Sequence, residues 1–343
     1  MEPNNHTPIH CVWELTLQCN MNCLHCGSRA GHKRENELSN EEALHVADEL
    51  IALGCKYLSL IGGEVFLYNG WEKIARRLTD NGVTVNMITN GYLMNDKQVE
   101  EIRYANLANV ALSIDGMEEN HNRIRNNSRS FARLKQTMDR LYMEKIPMGV
   151  NTTLLNSNIG DVEELYHYII NNNVKIWQLQ LANPMGNFSD NKNQQISLEN
   201  IKWLTSFIRQ KREENKITIY TGDNIGYYGE NERFIRGIPG TIGYWSGCQA
   251  GLTVVGIDSI GNVKGCESLY DDSFIEGNLR IERLSTIWHK DGNFAYNRNF
   301  DKSLLTGKCK ECDMGAFCRA GCRGACFFTK GKLHENAYCV YNE

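Results

Sequence analysis

The sequence predicts an α/β fold: a partial, TIM-like (βα)6 barrel of parallel strands and crossover helices, followed by a loop-rich C-terminal domain. Three observations predict it. Short β-rich runs alternate with amphipathic helical stretches through the first half of the 343-residue chain. Strands separated by helices imply right-handed parallel crossovers, and six are too few for a complete eight-stranded barrel. Beyond about Ile217 glycine and cysteine rise and helical periodicity fades, with eight of the 13 cysteines from Cys248 onward.

The first strand is read over Cys11–Leu17. Ser39, three residues before Glu42, forms a capping box that opens a helix over Asn40–Leu53, and Gly54 ends it. A strand at Tyr57–Ile61 leads to a helix at Trp71–Asn81, ended by Gly82. The pattern repeats through strands at Thr84–Thr89, Val110–Ile114, Met148–Leu154 and Lys175–Leu181. The helices between them are Asp96–Ala105, Phe131–Glu144 and Ile159–Asn172. Ile196–Lys216 reads as a connecting helix with Trp203, Phe207 and Ile208 on its apolar face. Barrels of this kind place chemistry beyond the C-terminal ends of strands. Here those ends run into Cys19–Cys26, Gly62–Glu64, Thr89–Gly91, Asp115–Gly116 and Asn183–Gly186.

Composition excludes several classes. With 41% apolar and 23% charged residues the chain can bury a normal core and is not disordered. A balance of 37 basic against 41 acidic residues gives neither a nucleic-acid nor a polybasic membrane signature. No apolar run approaches the ~18 residues of a spanning helix, and Met1–His10 lacks the order of a signal peptide. The expected location is the cytoplasm, where thiols stay reduced, so 13 cysteines point to metal or cluster ligation rather than disulfides.

The first such group is Cys19-Asn20-Met21-Asn22-Cys23-Leu24-His25-Cys26. Three thiolates on one loop can hold a four-iron cluster and leave one iron open for a ligand. Zinc completed by His25 or His32 is the alternative. In its strand–loop context this Cys-x3-Cys-x2-Cys pattern resembles the signature of the radical S-adenosylmethionine superfamily, over about residues 9–190. The resemblance implies reductive cleavage of S-adenosylmethionine to a 5′-deoxyadenosyl radical that takes a hydrogen from substrate. It implies that His25 lies beside the cofactor without ligating iron. It also implies that Gly62, Gly63 and Glu64 receive the methionyl ammonium, with Val65 where the family usually has proline. Asn90 lies in a segment that the family places near the cofactor. Ser113 and Asn151 are the implied ribose contacts and Arg125 the implied partner of the methionyl carboxylate, with Arg123 its competitor.

The second group is Cys248, Cys266, Cys309, Cys312, Cys318, Cys322 and Cys339, with Gly261 ahead of Cys266. It resembles the SPASM auxiliary-cluster domain, here residues 241–343, with 191–240 as the bridging region. The resemblance implies two further four-iron clusters, three in all. Cys309, Cys312, Cys318 and Cys339 would hold the outer one, and Cys248, Cys266 and Cys322 the inner one. Its fourth iron is open to substrate or completed by Cys326. Cys11 and Cys55 are left over and read as small buried hydrophobes. Glu267 follows Cys266 at a position where the sulfatase-maturing relatives carry an aspartate that serves as a base, so the resemblance makes it the candidate catalytic base. Tyr227, Tyr228, Tyr244 and Trp245 are candidates to line a substrate channel.

Relatives of this type mostly modify ribosomally made peptides. The expected reaction is therefore a carbon–carbon or thioether cross-link in a peptide. A tetrapyrrole-type small molecule, peptide epimerisation and formylglycine formation are the alternatives. The first strand begins near Cys11, so a leader-binding domain is not expected ahead of it, and a separate recognition protein could serve. A flavodoxin or ferredoxin is the expected electron donor; nucleic acid and membrane are not expected partners.

Overall fold

A computed structural model describes residues 6–237 and 240–341. The first five residues of the polar N-terminal stretch lie outside that range. The chain groups into two compact units, each discontinuous in sequence.

The first unit comprises the chain up to Asn22, Ala30–Ala111 and Gln249–Asn299. Strands β1 (His10–Glu14), β2 (Tyr57–Ile61) and β3 (Thr84–Thr89) run parallel, with Cys11 opposite Leu58 and Leu58 opposite Val85. Helices α1 (Asn40–Ala52), α2 (Trp71–Asp80) and α3 (Asp96–Ala105) connect them. The Ser39–Glu42 capping box is present at α1, whose Ala43, Val46, Ala47 and Leu50 form a buried stripe at helical spacing. Burying a side chain such as Val46 or Leu50 contributes about 1.5–3 kcal/mol. Gly54 and Gly82 sit at φ +85° and +79° just past α1 and α2, where a side chain would be strained.

The first strand is shorter than expected: regular pairing ends at Glu14, and residues 15–18 continue toward the cysteine loop with single backbone bonds. A larger difference lies at the other edge of β1. Val254–Ile257 forms a strand, β8 in chain order, parallel to β1 with Cys11 opposite Val255. It turns back through Gly261 into Asn262–Lys264 and then Gly277–Asn278. The sequence reading placed this stretch in loops. Four residues interrupted by Gly256 carry too little periodicity to announce a strand.

Strand β4 (Asn109–Ser113) lies where the chain passes from one unit to the other. The second unit comprises Cys23–Arg29, Leu112–Cys248 and the chain from Phe300 onward. Here β5 (Met148–Leu154), β6 (Ile176–Leu181) and β7 (Thr218–Thr221) are parallel, with Val150 opposite Trp177 and Trp177 opposite Ile219. The seventh strand, β7, was not expected; its four residues fall where the sequence reading ended regular structure. Helices α5 (Ser130–Met143), α6 (Val162–Asn171) and α7 (Leu198–Glu214) match expectation within a few residues. On α7 Phe207 and Ile208 are buried, but Trp203 is exposed and stacks on Phe207 at 5.4 Å.

Helix α4 (Glu118–Arg125) is an element that the sequence does not announce. Of its eight residues only His121, Ile124 and Arg125 are buried, so it shows no apolar stripe. Ile124 packs with Leu155, Ala182 and Phe188. Asn126, in the left-handed region at φ 51°, stops the helix. Among the described residues no helix is long and apolar enough to cross a membrane.

Candidate active site and cluster sites

In the first unit, the segments that follow β1 and β2 meet through their backbones. The Thr16 carbonyl accepts from Gly63 N at 2.7 Å, and the Gln18 carbonyl from Glu64 N at 2.8 Å. A Cβ on Gly62 would lie 2.6 Å from the Thr16 oxygen, and one on Gly63 2.2 Å from the Gln18 oxygen. Close backbone approach therefore requires both glycines. Cys19 follows directly, its N–H donating to Gly31 O at 3.0 Å.

Glu64 is fully buried. One carboxylate oxygen accepts from Thr89 Oγ1 at 2.7 Å and Phe66 N at 3.4 Å, and the other from Asn90 N at 2.9 Å. Glu64 thus holds the Thr89–Gly91 turn in place, a role the sequence reading did not foresee. Asn90 in turn donates its side-chain amide to Asn20 Oδ1 at 2.8 Å, inside the cysteine loop. Val65, in place of proline, opens a single 3-10 turn and is buried.

Glu37 was also missed. Its carboxylate accepts from Thr16 Oγ1 at 2.9 Å, Leu17 N at 2.8 Å and Arg34 N at 3.2 Å, so it fixes the segment leading into Cys19. Arg34 extends from there to Glu14, Ser259 and Tyr270.

In the second unit, Cys23 and Cys26 are anchored from two sides. Leu24 N donates to Ile124 O of α4 at 2.8 Å. Asn187 N donates to Cys26 O at 2.8 Å, and Asn187 Nδ2 to Cys23 O at 3.0 Å. Gly186, at φ +55°, would place a Cβ 2.4 Å from Cys26 O.

The same unit holds a buried polar network around Asp115, which is 0% exposed. Its Oδ2 accepts from Arg125 Nη2 at 2.6 Å and His25 Nε2 at 3.0 Å, and its Oδ1 from Thr153 N at 3.0 Å. Asp115 N donates to His121 Nδ1 at 3.2 Å, so His121 presents Nε2–H to Ser130 Oγ at 2.9 Å. Burial pushes the Asp115 carboxyl up, but the Arg125 guanidinium beside it, with the hydrogen bond from His25, holds it far below the ordinary range. Burial, reinforced by Arg125, holds the His121 imidazole down at about 3. In the sequence Asp115 stands out only as part of the Asp115–Gly116 strand end.

Arg125 is buried, whereas its competitor Arg123 is exposed and bonds Asn120 Oδ1 at 2.7 Å. Arg125 Nη1 lies 3.8 Å from Cys23 Sγ. Ser113 and Asn151 are half-buried, and the Asn151 carbonyl accepts from Ile114 N at 3.0 Å. His25 Nδ1 and Arg125 Nε are buried without a hydrogen-bond partner, as is Asn20 Nδ2 in the first unit. Desolvated polar atoms of this kind fit a bound polar ligand that supplies their missing partners.

Cys309, Cys312, Cys318 and Cys339 line one pocket in the second unit, together with Tyr228 and Tyr341. Burial raises the Cys309 and Cys318 thiols. Among the described residues no three His, Cys, Asp or Glu side chains are disposed to hold a single metal ion. Cys248 and Cys322 are buried in the second unit, and Cys266 belongs to the first, its Sγ accepting from Ser268 N at 3.4 Å. Cys326 is fully buried, donates its S–H to Ala320 O at 3.0 Å and is pushed up to about 12 by burial. It packs with Leu305 and Ala320. Cys11 and Cys55 are also buried.

Of the four channel candidates, Tyr227 and Trp245 are buried and pack edge to face at 5.5 Å. Tyr227 accepts from Cys322 N at 2.9 Å and Trp245 donates to Cys318 O at 3.0 Å, so both brace cysteine segments. Tyr228 lines the four-cysteine pocket and Tyr244 is exposed.

Glu267, in the first unit, is 7% exposed, and neither carboxylate oxygen makes a hydrogen bond. Lys264 Nζ stands 3.4 Å away. Burial raises its proton affinity, Lys264 opposes that, and Glu14 and Asp258 add to it.

Comparison with known proteins gives the family and the fold. Residues 13–169 match the family model of the radical SAM superfamily, and residues 248–313 match that of the SPASM iron-sulfur cluster-binding domain. The chain is 28% identical to an AdoMet-dependent heme synthase of Methanosarcina barkeri, over 98% of this chain and 97% of that one. It is 25% identical to mycofactocin maturase MftC of Mycobacterium ulcerans, over 94% and 85% of the two. The structure of Streptococcus suis SuiB bound to S-adenosylmethionine superposes with a TM-score of 0.76 at 15% identity, covering 98% of this chain and 78% of SuiB. The protein is thus an α/β enzyme of the radical SAM superfamily. More narrowly, it is a radical SAM enzyme that carries a C-terminal SPASM domain.

Proposed function

We propose that this enzyme modifies a peptide, installing a carbon–carbon or thioether cross-link, and that it works in the cytoplasm with a flavodoxin or ferredoxin as electron donor. The observation that carries the reading is the pairing of a radical SAM domain with a SPASM domain in a chain that aligns along most of its length with a mycofactocin maturase. Cys19, Cys23 and Cys26 would hold the cluster that, with S-adenosylmethionine, supplies the 5′-deoxyadenosyl radical for hydrogen abstraction.

Each remaining role belongs to residues described above. Gly62 and Gly63 expose carbonyls for the methionyl ammonium, and Glu64 adds a negative charge while fixing Asn90. Arg125 Nε is the free donor for the methionyl carboxylate. Ser113 and Asn151 offer polar contacts to the ribose, and His25 Nδ1 a partner for a ligand polar atom. Cys309, Cys312, Cys318 and Cys339 would hold an outer auxiliary cluster, and Cys248, Cys266 and Cys322 an inner one. The fourth iron of the inner cluster is open to substrate or completed by Cys326. Glu267 is the base that takes the proton released on product formation.

A second reading is modification of a tetrapyrrole. It is favoured by the heme synthase match, which is co-extensive with both chains. Co-expression with candidate precursor peptides, followed by mass spectrometry, tests the first reading. A loss of two hydrogens within the peptide supports a cross-link. An unmodified peptide, with turnover of a carboxylated tetrapyrrole by the purified enzyme, overturns it in favour of the second.

A further inference from the structure

We propose that Arg125 is a positioning residue for electron transfer: anchored by Asp115, it donates an N–H···S hydrogen bond to the Cys23 thiolate and raises the reduction potential of the cluster held there. The inference rests on the reading that Cys19, Cys23 and Cys26 hold a cluster.

The resemblance assigned Arg125 wholly to the cofactor. The structure divides its guanidinium three ways. Nη2 is bound to Asp115 Oδ2 at 2.6 Å, Nη1 lies 3.8 Å from Cys23 Sγ, and only Nε is left for a ligand. The fork is rigid, so fixing one arm on Asp115 aims the other. Asp115 cannot drift, because His25, Thr153 N and His121 also hold it.

The sulfur is fixed as firmly. Leu24 N, next to Cys23, donates to Ile124 O, next to Arg125, at 2.8 Å. One backbone hydrogen bond between the neighbours of Cys23 and Arg125 therefore ties the cysteine loop to the end of α4, which Ile124 also packs into place.

Both partners are buried, where a charged donor acts on sulfur through a low dielectric. Hydrogen bonds to cluster sulfurs and local net charge are among the levers that set iron–sulfur potentials. A donor here stabilises the reduced cluster, which carries more negative charge. Asp115 neutralises the arginine, so what the pair presents to the sulfur is an oriented N–H donor at no cost of an unpaired buried charge.

The test uses the full-length chain, reconstituted anaerobically, in an EPR-monitored redox titration. The relevant cluster is the one whose reduced signal changes in the wild type when S-adenosylmethionine is added, and its g values identify it in the variants. Arg125→Gln should lower its midpoint potential, and Arg125→Lys, which keeps a charge and donors, should lower it less. An Arg125→Gln midpoint equal to wild type overturns the proposal while leaving the site reading intact. No signal responsive to S-adenosylmethionine in the wild type removes the site reading, and the proposal with it. Pulsed EPR on wild-type protein carrying 15N-arginine gives a check that does not depend on the glutamine variant folding. A 15N coupling that Arg125→Lys abolishes supports the hydrogen bond, and its absence in the wild type overturns it.

Discussion

Replacing Asp115 by asparagine tests whether the buried network holds the second unit together. The substitution preserves shape but removes the charge. Thr153 N and the Arg125 and His25 nitrogens all donate to Asp115, from opposite sides of its carboxylate. An asparagine amide offers an acceptor on one side only, so its NH2 must face a donor whichever way it turns. Arg125 is left as an uncompensated buried cation. Breaking a buried pair by removing one partner costs about 3–5 kcal/mol, or about two to four decades in an opening equilibrium. The assay is urea denaturation of the chain before cluster reconstitution, with amide hydrogen exchange followed at Thr153. The double variant Asp115→Asn/Arg125→Gln should recover part of the loss, since it removes the stranded charge. A loss below about 1 kcal/mol, or a double variant as unstable as the sum of the singles, would refute the reasoning.

Replacing Cys19, Cys23 and Cys26 together by alanine should abolish 5′-deoxyadenosine formation while iron remains at the auxiliary sites; undiminished cofactor cleavage would sink the assignment. Glu267→Gln should keep cofactor cleavage and lose about 10²–10⁴-fold in product formation; product at the wild-type rate would make Glu267 structural. His121, held near 3 when folded against about 6.5 when unfolded, stays neutral while the unfolded chain takes up a proton. Its contribution to stability is complete above about pH 6.5 and is lost as pH falls from there toward 3, so His121→Gln should flatten that part of a stability–pH profile. A folded His121 ring resonance titrating near 6.5 would contradict this.

Local order along the chain determined the alternation of strands and helices, because each period is written in consecutive residues. The capping box at Ser39 and the glycines at 54 and 82 are of this kind. So is the spacing of the cysteine groups, which alone pointed to the family. The short elements were not legible. Val254–Ile257 and Thr218–Thr221 become strands because a neighbouring strand offers an open edge, and α4 forms over a surface that barely marks it. Roles were least legible of all. Glu64 and Arg125 were each given a single task by their motif positions, yet tertiary contacts commit them to Thr89 and Asn90, and to Asp115 and Cys23. Asp115, His121 and Glu37 drew no attention as site residues, since a carboxylate or imidazole in sequence looks the same whether solvated or buried. Only the fold removes water from such groups, and desolvation makes each hydrogen bond around them consequential.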